Sequence, residues 1–300
     1  MLEAKIEEIN CEDRISALPE ELLVTILLLV PIKDAIATMI LSKRWRNIWM
    51  MLPRLDYNET NDVNHARDWG GDDNDDGDDD LESKSIWWFL DKSLKLHKAP
   101  VLEILLISLG RRCPSDANVG NWVEKAVDRG VVVVKFKLRW SAGPTTLPKS
   151  LYTCETLKEL TLSNKVPVDF PSSSSSPSCL PSLEILQLSC VVYKDEESFA
   201  RFLSSCPVLG TLIVERKKSD NLTNFIVKVP TLWMLWYYNT TWLVDDTDVV
   251  DSGSCLVIDT PALIKFDVTD YSRPLGRSGI CLVLRRHILV STVYLFLTRS

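Results

Sequence analysis

The chain has 300 residues, 46% of them apolar and 25% charged, which is an ordinary composition for one or two globular domains. Its net charge of −7 equals the charge of the seven Asp in residues 72–80, so the remainder is neutral and offers no broad basic field for nucleic acid. No apolar run reaches the ~18 residues that a membrane-spanning helix needs.

The amino terminus is acidic and lacks the apolar segment of a secretory signal, so we expect a cytoplasmic and/or nuclear protein. The eight Cys include no CxxC pair, which agrees with a reducing compartment. We expect these thiols to serve as small buried apolar groups.

Residues 13–54 predict three short helices. Apolar residues recur at helical spacing from Leu18 to Val30, where Pro31 ends the first helix. A second stripe at i, i+3, i+4 and i+7 consists of Trp45, Ile48, Trp49 and Leu52. A unit of about 40 residues cannot bury this much apolar surface alone, so we expect it to dock on a partner. The first stripe should supply most of that contact, and the second should hold the helices together.

The alternative is that this helical unit packs against the rest of its own chain. The segment that follows argues for a separate partner, because residues 55–85 are rich in Asn, Asp and Gly and poor in apolar residues. Closely spaced Asp side chains repel one another and stay solvated. We therefore predict an acidic disordered linker between the helical unit and a domain with a core of its own.

From residue 86 the chain turns apolar again, with helices predicted from Ile86 and over Asn121–Val127. The rest is an internal repeat of the form L-x-x-L-x-L, with copies 23 to 31 residues apart. The seven copies begin at Leu102, Val131, Leu157, Leu183, Leu209, Leu232 and Leu263. Proline stands two residues before five of these positions, where its missing N–H suits a strand entry. Residues 86–280 are thus predicted to be a leucine-rich-repeat domain.

The repeat has two irregularities. The Asn or Cys that leucine-rich repeats carry at the ninth position is absent, and Lys165, Val191 and Lys217 stand there. The pattern is also lost after Cys281, so we predict an atypical tail over residues 281–300. The predicted fold class is α/β, a three-helix unit followed by an irregular leucine-rich-repeat solenoid.

No constellation of catalytic residues is apparent in the sequence. The three His are His65, His97 and His287, and none has metal-ligand spacing to another His or to a Cys pair. His97 ends a predicted helix, and we expect it to be solvated. We predict no enzyme activity, no metal site and no cofactor; an enzyme on an α/β fold is the alternative that this lack of motifs disfavours.

A family resemblance gives the helical unit a role. Its segments DRIS, LPEELL, IL, VP, KDA and LSKRWR, read in order from Asp13 to Arg46, resemble the F-box of plant F-box proteins with leucine-rich repeats. The repeat segments SLYTCETLKELTLSN and PSLEILQLS resemble the same F-box/FBD/LRR class, and the chain looks shortened at its carboxyl terminus. The resemblance implies docking on an SKP-type adaptor and, through it, a cullin. The expected adaptor-binding residues are Leu18, Pro19, Leu22, Leu23, Ile26, Leu27, Val30 and Pro31.

The same resemblance implies the substrate-recognition subunit of an SCF-type (SKP–cullin–F-box) ubiquitin ligase. Such a subunit positions an unidentified protein substrate, with no nucleic acid or membrane involved. Residues between the leucines point away from the core, and near Leu232 they are unusually aromatic. The candidate substrate-binding residues are Trp233, Met234, Trp236 and Tyr238. Two alternatives remain: the long repeat folds over these aromatics, or a truncated leucine-rich-repeat binding protein occupies the adaptor without productive recruitment.

Overall fold

The computed structural model describes residues 15, 17–58, 86–109, 119–138, 147–164, 166–168, 180–217, 220–239, 255–270, 281–284 and 292–297. They form a mixed α/β chain in which short helices come first and parallel strands follow. Among the described residues, no helix combines the length and apolarity that crossing a bilayer requires.

The N-terminal helices are short, and two begin directly after a proline. Helix α1 spans Glu20–Leu27, α2 spans Ile32–Ala37 and α3 spans Trp45–Ile48, and single 3-10 turns extend α2 and α3. Pro19 precedes α1 and Pro31 precedes α2, where a missing N–H costs no helical hydrogen bond. Glu20 and Glu21 lie in the first turn of α1, where the helix dipole favours negative charge.

A nine-stranded sheet runs through the rest of the chain, and every neighbouring pair in it is parallel. In sheet order its strands are β1 (Arg54–Asn58), β2 (Ile104–Leu109), β3 (Val133–Leu138), β4 (Glu159–Ser163), β6 (Ile185–Ser189), β8 (Thr211–Arg216), β10 (Met234–Asn239), β12 (Lys265–Asp270) and β14 (Thr292–Leu297). Each of the seven predicted copies places its second and third apolar residues on one of these strands, which confirms the repeat assignment at those positions.

Outer elements connect successive strands of the sheet. They are α4 (Ile86–Leu96), α5 (Val119–Val127), a 3-10 turn at Lys149–Thr153, β5 (Pro167–Val168), β7 (Val192–Tyr193), α6 (Glu196–Ser204), β9 (Asn224–Val227), β11 (Cys255–Ile258) and β13 (Cys281–Leu284). The outer layer is helical near the amino terminus and becomes a second parallel sheet, in the order β13-β11-β9, near the other end.

The phased prolines have a specific place in the structure. Four of them lie in tight turns closed by a hydrogen bond from the leading Leu N–H to the carbonyl three residues earlier, as from Leu209 to Cys206 and from Leu263 to Thr260. Proline holds the second position of each such turn, as Pro207 and Pro261 show. Its fixed φ suits that position and its missing N–H is not needed there, so the turn selects the residue.

The helical unit and the repeats share one continuous apolar core, which contradicts the predicted separation by a linker. Buried side chains form a single cluster that runs from Leu23 in α1 to Val268 in β12. Residues 55–58, predicted to be linker, instead lie in β1, and Leu55 and Tyr57 are fully buried there. In the sequence, the acidic segment thus lies between β1 and α4. It follows the first strand of the sheet and does not precede the sheet.

Sequence reasoning missed a repeat at each end of the sheet. Leu52, Leu55 and Tyr57 fit the repeat template, although apolar spacing predicts Leu52 to be part of the helical unit and composition predicts the other two to be linker. At the other end, β14 pairs with β12 in register, so Val293 lies opposite Phe266 and Leu295 opposite Val268. The expectation that the repeat is lost after Cys281 is therefore wrong for β13 and β14.

The Asn and Cys of the repeat are present one position earlier than expected. Asn164 and Cys190 follow β4 and β6 at equivalent places, and both have positive φ, 56° and 55°. Their backbone N–H groups donate to the carbonyls of Ser189 and Glu215 on the next strand, 2.8 and 2.7 Å away. The Asn164 amide also donates to the Leu138 carbonyl of the preceding strand. These residues tie each strand end to its neighbours, which is why a compact polar residue stands there.

Candidate functional site

Exposed apolar surface is concentrated on the N-terminal helices. Fifteen large apolar side chains are exposed in the described residues, and nine of them lie between residues 15 and 51. The nine are Ile15, Leu22, Ile26, Leu28, Leu29, Val30, Ile40, Leu41 and Met51. We call them the helical apolar surface; a patch of this kind marks an interaction site in a soluble protein.

The predicted adaptor residues divide between surface and core. Pro19, Leu22, Ile26, Val30 and Pro31 are exposed, with Leu22 at 48%. Leu18 is half-buried against the core.

Leu23 and Leu27 are buried at 0% and 2%, so their assignment to the docking surface is corrected: they support it from beneath. Periodicity shows that α1 has two apolar stripes, but it does not show which one faces inward.

The second predicted stripe lies in the core, as expected. Trp45, Ile48, Trp49 and Leu52 are all less than 5% exposed. Arg44 donates a hydrogen bond to the Leu18 carbonyl across 26 residues, which fixes the start of α1 against the α3 segment. The exposed surface therefore rests on a packed layer and not on a loose cluster of helices.

Some of the most exposed apolar residues escaped the prediction. Ile40 is 87% exposed, Leu29 82% and Leu41 63%. Leu29 lies within the predicted stripe from Leu18 to Val30, whereas Ile40 and Leu41 lie outside both stripes. Residues that are apolar without a place in a stripe are candidates for a contact with another chain.

The junction between helices and sheet is held by backbone hydrogen bonds and one histidine. The Met50 carbonyl accepts from the N–H groups of Lys98 and Ala99, both at 2.9 Å. His97 lies between Leu52 and Arg129: its Nε2 donates to the Leu52 carbonyl at 2.8 Å, and its Nδ1 accepts from the Arg129 guanidinium at 2.7 Å. His97 is only 3% exposed, so the expectation of a solvated side chain is wrong.

This arrangement keeps His97 neutral. Burial lowers the pKa of its imidazole, the hydrogen bond to the Leu52 carbonyl raises it, and the positive charge of Arg129 lowers it again, with a net fall. A ring that accepts at Nδ1 and donates at Nε2 has one tautomer, so the histidine orients the end of the helical unit against the first repeat.

The four predicted substrate residues lie together at the far end of the sheet. Met234, Trp236 and Tyr238 alternate along β10 with buried residues, and Trp233 directly precedes the strand. Trp233 is 44% exposed and the other three are partly exposed. We call these four the aromatic patch, and the sheet face that carries it, opposite the core, the open face.

A glycine on the neighbouring strand makes room for Trp233. The Trp233 backbone N–H donates to the Gly210 carbonyl, so the two residues are neighbours across the sheet. A Cβ built on Gly210 would lie 2.6 Å from Nε1 of Trp233 and 2.9 Å from Cδ1, closer than any side chain tolerates. The indole therefore packs against the backbone of Gly210, where only glycine fits.

Charged groups surround the aromatic patch. The Lys265 Nζ lies 5.4 Å from the ring centroid of Trp236, a cation–π distance. Asp267 is opposite Trp236 on β12, and Glu215 is opposite Tyr238 on β8. Burial raises the pKa of the Tyr238 phenol, and the nearby Asp267 carboxylate raises it further.

Metal ligands and thiols are the other side-chain groups that could carry chemistry. Groups of three or more His, Cys, Asp or Glu that could hold a metal ion are absent from this part of the chain. Cys154, Cys190 and Cys206 are buried thiols, and burial raises the pKa of Cys190 to about 11. A thiol with such a pKa stays protonated at neutral pH and is a poor nucleophile.

Comparison with known proteins matches two parts of this chain. Residues 15–57 match the F-box domain family, and this range extends into β1. Residues 119–258 match the family described as "FBD-associated F-box protein At5g56370, LRR repeats". No solved structure matches the chain.

Similar proteins come from Arabidopsis thaliana. An FBD-associated F-box protein is 54% identical over 275 residues, which cover 91% of this chain and 57% of that protein. An F-box/FBD/LRR-repeat protein is 45% identical over 284 residues, covering 89% of this chain and 58% of the relative. The chain thus spans little more than half the length of these relatives. With an F-box whose apolar surface is exposed and a sheet built from repeats, the chain belongs to the plant class of F-box proteins with leucine-rich repeats.

Proposed function

We propose that this protein is the substrate-recognition subunit of an SCF-type ubiquitin ligase. The F-box docks an SKP-type adaptor and through it a cullin, and the leucine-rich repeats, wound as a solenoid after a helical F-box, hold a protein substrate. The subunit itself carries out no chemistry; it brings the substrate close to the ligase's catalytic subunits. It acts in the cytoplasm and/or nucleus.

The observation that carries the proposal is the helical apolar surface. Exposing a large apolar side chain forgoes about 1.5–3 kcal/mol of burial, and nine such residues are exposed within one small unit. The helical unit already has a buried core beneath them, formed by Trp45, Ile48, Trp49 and Leu52. The nine exposed residues are therefore surface residues and not an incompletely packed core. We infer that Pro19, Leu22, Ile26, Val30 and Pro31 contact the adaptor and that Leu18 borders the contact.

The test is adaptor binding by the full chain. Leu22→Asp places a charge in the proposed contact and should weaken binding to an SKP-type adaptor by at least roughly tenfold, the effect of a hot-spot residue. The measurement is calorimetric titration, with circular dichroism to verify the fold.

Val208→Asp is the matched control, because Val208 is 46% exposed against 48% for Leu22 but precedes a strand of the repeats. Equal losses for the two variants, or unchanged binding by Leu22→Asp, would contradict the proposal.

The aromatic patch is the proposed substrate-binding surface, and its exposure to solvent supports that role.

A further inference from the structure

The aromatic patch combines exposed apolar area with neighbouring carboxylates. Trp233 and the adjacent Ile264 are 44% and 54% exposed at the strand entries of neighbouring repeats. Ile264 donates its N–H to the Trp233 carbonyl at 2.9 Å, so their side chains stem from adjacent points of the sheet edge. An apolar partner can cover both at once, which is the ordinary use of an exposed Trp beside an aliphatic residue.

Two carboxylates lie beside these apolar groups, together with the ammonium group of Lys265. Asp267 lies directly opposite Trp236, and Glu215 lies opposite Tyr238 on the other side of β10. Within the described part of the chain, neither carboxylate forms an ion pair, whereas Glu159 and Glu184 on the same face pair with Lys135 and Lys158. The aromatic end of the open face thus has carboxylates available to a cation from another chain.

The rings themselves favour a cation. Lys265 already lies over Trp236 at 5.4 Å, which shows that the ring face is open to positive charge. In the described residues no other cation–π contact involves the patch, and Trp233 and Tyr238 keep part of their surface exposed to solvent. A guanidinium stacks on such a ring while it forms hydrogen bonds with a carboxylate beside it.

Resting on the proposed function, we propose that the aromatic patch binds a protein substrate through a segment that carries a basic residue, Arg above all, next to an apolar residue. The cation lies between Trp236 or Tyr238 and the carboxylates of Asp267 and Glu215. The apolar neighbour covers Trp233 and Ile264. This defines a substrate class by its charge and by the spacing of two groups, without naming a protein.

The experiment is a selection from a random 12-residue peptide library displayed on phage, with the full chain immobilised. Peptides enriched on the wild type should contain Arg or Lys beside an apolar residue. For the best of them as a free peptide, Asp267→Asn should weaken binding roughly tenfold. The double variant Asp267→Lys/Glu215→Lys should select acidic peptides instead.

Asp56→Asn is the matched control: Asp56 has the same register position on β1, at the other end of the open face, and pairs with Arg54. The proposal is overturned if enriched peptides are acidic or purely apolar. It is also overturned if Asp56→Asn and Asp267→Asn have equal effects, or if Trp233→Ala/Trp236→Ala, shown to be folded by circular dichroism, selects the same peptides. Adaptor binding is measured in a separate experiment, so the peptide selection can be interpreted even if adaptor binding fails.

Discussion

A buried ion pair shows how the residue at one position can determine the packing of the groups around it. Arg216 occupies the place in its repeat that Asn164 and Cys190 occupy in earlier ones, but its side chain is long and charged. Its guanidinium forms two hydrogen bonds with Asp220, at 2.5 and 2.9 Å, and one with the Leu222 carbonyl at 2.6 Å. It also donates to the Tyr237 hydroxyl at 3.2 Å. The turn after β8 is built around this cation.

Removing the negative partner should cost much more here than at the surface. Asp220→Asn leaves a guanidinium that is 5% exposed without its counter-charge, and we expect a loss of about 3 kcal/mol in urea unfolding. Glu197→Gln removes the partner of Arg201 in an ion pair of the same i, i+4 spacing, but the Glu197 side chain is 84% exposed. That control should change stability by less than about 0.5 kcal/mol. Similar losses for both variants would show that burial does not decide the strength of the pair.

At the scale of helices and strands, the sequence predicts the elements whose apolar residues form a pattern within one short segment. The seven strands and the helices α4 and α5 follow from apolar spacing and turn prolines, because a buried face and a turn leave direct traces in the chain. The first repeat was missed because its strand is separated from α4 by an acidic segment, so Leu52 and Leu55 had no neighbouring copy to be compared with. Spacing along the chain does not reveal which strands pair across an insertion.

The candidate sites were predictable to a similar extent. Alternation along β10 correctly placed Met234, Trp236 and Tyr238 on the open face, since a strand has only two faces. Leu23 and Leu27 were assigned to the wrong side of α1, because a helix that is apolar nearly all round has no sequence signal for inside and outside. The Gly210 contact with Trp233 needs two repeats side by side, which only the pairing of β8 and β10 supplies.

The joint between the helical unit and α4 should weaken in acid through His97. The pKa of His97 is lowered in the folded state, so below the ordinary value of about 6.5 the unfolded chain binds a proton that the folded chain resists. This contribution to stability is complete above that pH and is lost as the pH falls towards the folded pKa. Thermal unfolding between pH 7.5 and 5.0 should therefore show a steeper fall for the wild type than for His97→Gln.

Parallel pH profiles for the wild type and His97→Gln would mean that the hydrogen bonds to Leu52 and Arg129 do not hold the imidazole neutral.

At the scale of the molecule, the F-box and the repeats share one apolar core, although the acidic segment lies between β1 and α4 in the sequence. The apolar cluster passes from α1 through β1 into β2 and onward, and the F-box contributes the backbone carbonyls that start the sheet. If the proposed function holds, a substrate on the repeats would have a fixed orientation to an adaptor on the F-box. A rigid connection of this kind suits a receptor that must present its substrate to another subunit.

That continuity predicts which parts unfold together. Repeat arrays are stabilised by contacts between nearest neighbours, so a substitution destabilises the repeats near it and affects distant repeats little. Leu55→Ala removes a fully buried side chain of β1 and should cost about 2–5 kcal/mol. Amide hydrogen exchange should then accelerate in α1 to α3 and in α4 and β2 together, and change little in β10 and β12.

Leu235→Ala is the matched substitution, because Leu235 is also fully buried and lies in the same register row of the sheet, six strands away. It should accelerate exchange in β8 to β12 and leave the F-box helices protected. If Leu55→Ala instead left those helices as protected as in the wild type, the F-box would be an independent domain. The shared core would then not couple it to the repeats, and substrate orientation would have to be fixed by other means.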